Sequence, residues 1–198
     1  MSSAPWHAAI VLGLPGTGKS TMCRALAPMP NLVHSGAGDI LRELKPETPA
    51  GRKAGPYMHR GELVPDDLML EVWREHTHRQ VKLGRFTPDQ QTLLLDGIPR
   101  TLDQARGIEG DVDVRAVLFL DVDDDGVLVR RLLSRGKESG RSDDRSELVI
   151  RRRIADHREQ VLPVLEAYPE AIRRRVDAGR HALPVLADVA DALARSLL

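Results

Sequence analysis

Ala8-Ala9-Ile10-Val11-Leu12-Gly13-Leu14-Pro15-Gly16-Thr17-Gly18-Lys19-Ser20 decides how the rest of the chain is read. From Gly13 onward it fits G-x-x-x-x-G-K-[ST], the phosphate-binding P-loop. Glycines lack a Cβ, so the backbone can curl until several N–H groups point at one anion. The helix that follows brings the positive end of its dipole to the same place. Lys19 adds a mobile cation for the outer phosphates, and Ser20 offers a hydroxyl to Mg²⁺. Residues 8–12 are a short apolar run of the kind that forms a buried strand, and Met22, Ala25 and Leu26 fall at helical spacing. Strand, loop and helix in that order imply a bound nucleoside triphosphate without saying which reaction follows.

The 198 residues suit one domain. A hydrophobic fraction of 41% supports a core, and with aromatics at 3% that core is aliphatic. A formal net charge of +0 argues against a general binder of nucleic acid or membrane surfaces. The single cysteine, Cys23, excludes a disulfide framework and a Cys-based zinc site, and reads as a buried apolar residue. No stretch approaches the roughly 18 apolar residues of a membrane span. Residues 1–7 lack the basic-then-apolar order of a secretory signal, so a cytoplasmic protein is expected.

Further along, residues 31–34 read as a second strand, 35–39 as a turn, and 40–42 as the start of a helix. Prolines and glycines between Lys45 and Gly61 predict a loop-rich insertion with at most short helices. Pro65-Asp66-Asp67 opens a firmer helix. Residues 93–96 and 116–121 are third and fourth strands ending in Asp96 and Asp121, and residues 173–177 suit a fifth. Helices are expected from Asp124, from Asp144 to Tyr168 and from Val185 to Leu198, with a flexible stretch over Gly136–Gly140. Strands alternating with helices predict an α/β fold, a five-stranded parallel sheet covered on both faces. Ligands bind such a sheet outside the carboxyl ends of its strands, where the P-loop, Asp39 and Asp96 would converge.

Several segments resemble the adenylate kinase, or nucleoside monophosphate kinase, family. Gly38-Asp39-Ile40-Leu41-Arg42 is similar to its G-D-L-L-R, and Gly61-Glu62-Leu63-Val64-Pro65-Asp66 to G-x-L-V-P-D. Asp96-Gly97-Ile98-Pro99-Arg100-Thr101 resembles D-G-F-P-R-T, and the run from Arg131 through Ser139-Gly140-Arg141-Ser142-Asp143-Asp144 its lid. The resemblance implies a P-loop nucleoside triphosphate hydrolase-like three-layer domain over residues 1–198, with an acceptor-nucleotide insertion at about 40–61 and a short lid at about 136–142. It implies a monomer that transfers the γ-phosphoryl of ATP·Mg²⁺ to a nucleoside monophosphate, with no nucleic acid or membrane as partner.

By that match, Gly13, Pro15, Gly16, Thr17, Gly18, Lys19, Ser20 and Thr21 hold ATP, with Arg131 stacked on its base. Ala37, Gly38, Asp39, Arg42, Gly61, Leu63, Val64, Gly97, Arg100 and Gln104 form the monophosphate site. Lys19, Arg100, Arg135, Arg141 and Arg153 act on the transferring group, while Ser20 and, through water, Asp96 serve Mg²⁺. The attacking phosphate oxygen is already anionic, so the task is positioning and charge stabilisation rather than base catalysis. Arg106, Arg158 and Arg173 read instead as surface pairs, and His157 as a packed residue where the family often has tyrosine.

The chain departs from the pattern in three places. The last arginine is Arg152 by spacing or Arg153 by local text. At about 100° per residue Arg152 points away from the apolar face, which favours Arg153. Ser20 stands where the family has glycine, restoring the general P-loop serine. Gly36-Ala37 replaces the family's S-T, which suits the UMP/CMP branch, whereas Gln104 can pair with an adenine edge through both donor and acceptor. A hydrogen-bonding group discriminates more sharply than one lost hydroxyl, so AMP is favoured over UMP or CMP. The remaining readings are a nucleotide-binding regulator without turnover and a P-loop kinase of a non-nucleotide metabolite.

Overall fold

The computed structural model describes residues 5–60, 62–139 and 144–197. Strands β1 (Trp6–Gly13), β2 (Leu32–Gly36), β3 (Thr92–Asp96), β4 (Val112–Asp121) and β5 (Arg173–Asp177) form one sheet in the order β2-β3-β1-β4-β5. Every pairing is parallel. Each crossover carries a helix, which is how a chain returns to start a parallel neighbour. Residues 8–13 of β1 are buried on both alternating faces, so the central strand is covered from either side. The five-stranded parallel α/β architecture is therefore as expected, and among the described residues no further strand pairs with either edge, β2 or β5.

Helices α1 (Lys19–Leu26), α2 (Ala37–Glu43), α3 (Pro49–Arg60), α4 (Asp66–Lys82), α5 (Leu102–Gly107), α6 (Asp125–Ser139), α7 (Glu147–Glu166) and α8 (Ala182–Leu197) surround the sheet. The core is mainly aliphatic, with Phe119 on β4 and one aromatic knot in which Trp6 meets Trp73 and Phe86 edge-on. Cys23 lies inside it, 1% exposed.

Three local expectations are corrected. Residues 35–36 belong to β2 and α2 begins at Ala37, with no separate turn between them. The segment after Lys45 holds a helix of 12 residues rather than a loop with short pieces. Thr48 caps it, its Oγ1 accepting from Gly51 N at 3.0 Å, and Pro49 takes the first helical position, where no N–H is needed. Gly51 is tight packing: a Cβ there would run into the Lys45 carbonyl. The flexible stretch expected over Gly136–Gly140 is instead helical through Ser139, as the end of α6. Gly136 lets that end approach the chain beyond, since a Cβ would stand 2.5 Å from the Asp144 carbonyl oxygen. Residues 140–143 lie outside the described residues.

Candidate active site

The carboxyl ends of β1 and β3, with α2 beyond the end of β2, open into one cavity of about 1040 Å³. β1 stops because Gly13 (φ +145°) packs against Leu120, where any Cβ would meet the Leu120 carbonyl. Gly16 and Gly18 also hold positive φ, and Gly18 leads directly into α1. Gly13, Pro15, Gly16, Thr17, Gly18, Lys19, Ser20 and Thr21 line one end of the cavity. Thr17 is itself buried, its hydroxyl donating to Leu14 O at 2.9 Å, so it braces the loop.

Lys19 Nζ donates to Gly13 O at 2.7 Å and Leu14 O at 3.0 Å. Burial pushes its ammonium down to about 8, with Asp96 opposing the shift and Arg100 adding to it. Ser20 Oγ donates to Asp96 Oδ2 at 2.5 Å across the gap between α1 and β3. Burial alone would raise the Asp96 carboxyl, but hydrogen bonds from His34 and Ser20 and the Lys19 charge hold it below the usual range. It therefore remains an anion at the edge of the P-loop.

Gly38, Arg42, Leu63, Gly97 and Arg100 line the other end. Gly97 (φ +76°) lets the chain curl so that Arg100 Nε donates to Gly97 O at 3.0 Å. Burial lowers the Arg100 pKa, a sign that the protein pays to keep this cation there. Asp39 holds Arg42 at 2.6 Å and Arg24 at 2.7 Å.

Above the P-loop, α6 and α7 bring Arg131, Arg135 and Arg153 to the cavity. Asp144, fully buried, accepts from Arg135 Nε at 2.6 Å and from Arg153 Nη1 at 2.9 Å. Arg152 is 85% exposed on the far side, so of the two candidates only Arg153 reaches the cavity. Arg131 forms a fork to the carbonyls of Ala178 and Arg180 at 2.8 and 3.0 Å, which fixes its guanidinium as a platform. Among the described residues, counting Arg180, seven Lys and Arg side chains line the cavity against Glu62, Asp96 and Glu138, an excess that suits a polyanion.

Some predicted residues sit elsewhere. Ala37 and Val64 are buried behind the cavity wall, Asp39 is part-exposed beside it, holding Arg42, and Gly61 and Arg141 are outside the described residues. Gln104 is 2% exposed. Its Oε1 accepts from Arg100 N at 2.8 Å and its Nε2 donates to Asp66 Oδ1 at 2.7 Å. One N–H and one lone pair of that amide are thus committed to the fold. Arg158 pairs with Asp125 at 2.5 Å as a surface contact. Arg173 departs from the surface-pair expectation, since its Nε is buried with no hydrogen-bond partner among the described residues.

Sequence reasoning missed Asp144, His34 and the loop around His181. The Asp143-Asp144 doublet beside the lid arginines was a usable signal for the first. The others depend on contacts across the fold. His157 lines the cavity with Nδ1 2.9 Å from Arg153 O, and burial, with Arg100 and Lys19, pushes its imidazole down to about 3.

The sequence model of the family described as adenylate kinase matches residues 11–173. The chain belongs to the adenylate kinase family. A Synechococcus adenylate kinase is 41% identical over 165 residues, covering 80% of this chain and 81% of its own length. An adenylate kinase of Flavobacterium johnsoniae is 37% identical over 167 residues, covering 81% and 84%. A uridylate kinase of Saccharomyces cerevisiae is 37% identical over 198 residues, covering 94% and 90%. As members of this family are phosphotransferases, the cavity is that of an enzyme. No described helix is long and apolar enough to cross a membrane.

Proposed function

We propose that the chain moves the γ-phosphoryl group of ATP reversibly to a nucleoside monophosphate, with AMP the preferred acceptor and two ADP the product. The observation that carries this is the single cavity joining the P-loop to Arg42 and Arg100, lined throughout by cations. Two polyanions can lie end to end there, and holding them in line is most of the catalysis such a transfer needs.

In this reading the P-loop N–H groups and Lys19 hold the donor phosphates. Arg42 and Arg100 hold the acceptor phosphate. Arg135, Arg153 and Arg141 balance the charge that shifts to the transferring group. Asp144 sets where the first two start. The fit for Mg²⁺ is chemical: Ser20 and Asp96 supply hard oxygen donors, and Asp96 keeps its charge despite burial. When bound, the ion would neutralise the β- and γ-phosphate oxygens. Ser20 would hold it directly and Asp96 through its water. The proposal keeps the chain a monomer, with ATP and the monophosphate as its partners.

A uridylate or cytidylate kinase is the second reading. The yeast uridylate kinase covers more of this chain than the two adenylate kinases do, and part of the Gln104 amide is already engaged. A coupled assay of ADP formation from ATP·Mg²⁺, with AMP, CMP, UMP and GMP supplied separately, decides. Fast turnover with AMP alone supports the proposal. Preference for UMP or CMP keeps the mechanism and reverses the acceptor. No turnover in a chain that binds ATP leaves a nucleotide-binding regulator.

A further inference from the structure

His34 stands behind Asp96, which lines the cavity, and no step above uses it. β2 delivers it there because β2 and β3 are in parallel register, with Gly36 opposite Asp96. The His34 side chain is 11% exposed, with Nε2 3.3 Å from Asp96 Oδ2 and Nδ1 3.9 Å from Asp39 Oδ2. A carboxylate can only accept, so Nε2 carries the hydrogen of the shorter contact. The same Asp96 oxygen accepts from Ser20 Oγ at 2.5 Å. Two donors therefore occupy Oδ2 from different directions and stop the carboxylate from turning. Oδ1 has no hydrogen-bond partner among the described residues.

Gly36 makes room for this arrangement. A Cβ at that position would stand 2.9 Å from both Cε1 and Nε2 of the His34 ring. The backbone there is ordinary extended chain (φ −96°, ψ 119°), so the position needs glycine for space and not for conformation. This is one of the positions at which the chain departs from the family's S-T.

We infer that His34, seated in the space Gly36 leaves, is a positioning residue that turns Asp96 so that its Oδ1 faces the hydrated Mg²⁺ of the donor nucleotide. The inference rests on the phosphotransferase reading above. Partners one step removed from a metal fix the orientation of the groups that meet it, and losing one costs about 10- to 100-fold in metal affinity or activity.

The test compares ATP binding by calorimetry in Mg²⁺ and in EDTA, and records the electron paramagnetic resonance spectrum of Mn²⁺ bound with ATP. His34→Leu fills the space but donates nothing. It should reduce the Mg²⁺-dependent gain in ATP affinity about 10-fold or more and alter the Mn²⁺ spectrum. Affinity in EDTA and melting temperature should stay close to the wild-type values. His34→Gln, whose amide N–H can reach the same oxygen, should recover most of the gain. Gly36→Ala keeps both residues but forces the ring away, so it should behave like His34→Leu. Wild-type ratios and spectra in His34→Leu or Gly36→Ala, or no rescue by His34→Gln, would overturn the inference alone. Wild-type protein that binds ATP in neither condition would overturn the phosphotransferase reading along with it.

Discussion

Arg100 shows most directly how this protein trades stability for a site. Burial lowers its pKa, and its guanidinium donates to Gly97 O. The fold gains little from such a charge, so Arg100→Ala should leave the melting temperature unchanged or raise it. Phosphoryl transfer should fall about 10³-fold or more, read as kcat/KM against melting temperature on the same preparation. His157 is a second residue with a measurable signature. Its imidazole titrates near 3 in the fold, against an ordinary value near 6.5. Above pH 6.5 it is neutral in both folded and unfolded chains and contributes no pH dependence. As the pH falls from 6.5 toward 3, the unfolded chain takes up a proton that the fold refuses, so stability is lost across that window. The loss traceable to His157 should reach about 2 kcal/mol at pH 5. Denaturant unfolding of the wild type and His157→Phe at pH 7.5 and pH 5 checks it, the variant losing less stability on acidification.

At the scale of elements, α3 carries the clearest lesson. A count of prolines and glycines reads residues 45–61 as broken chain, yet Thr48 and Pro49 are a helix start and Gly51 is a packing requirement. Two glycines of the same helix should therefore respond oppositely to alanine. At Gly51 a Cβ meets the Lys45 carbonyl, and Gly51→Ala should destabilise by about 1–3 kcal/mol. At Gly55 a Cβ meets nothing within 4 Å, and Gly55→Ala should stabilise by about 0.5–1 kcal/mol through helix propensity. Chemical denaturation of the two variants side by side reads the difference. Gly136, in α6, belongs with Gly51: what looks like a flexible joint is a close approach, in this case to Asp144.

Over the whole molecule, what was legible in sequence was local. The P-loop, the strand ends at Asp96 and Asp121, and the helix-face argument that placed Arg153 inward and Arg152 outward all need only a few neighbouring residues and a period. What was not legible joins distant segments. Asp144 holding Arg135 and Arg153, Asp66 holding Gln104, and His34 reaching Asp96 across the register of two strands are set by tertiary contacts that no short window contains. The sheet itself has a further consequence. β5 is an edge, and its first three residues are Arg173, Arg174 and Arg175. An unpaired strand edge is a template on which a second copy can extend the sheet. Two such edges meeting would set Arg174 against its own likeness and crowd Arg175 away from Asp121 and Asp123, so each molecule resists extension along this edge. Arg174→Thr with Arg175→Thr should weaken that guard, seen as concentration-dependent association in light scattering, while the wild type stays dispersed.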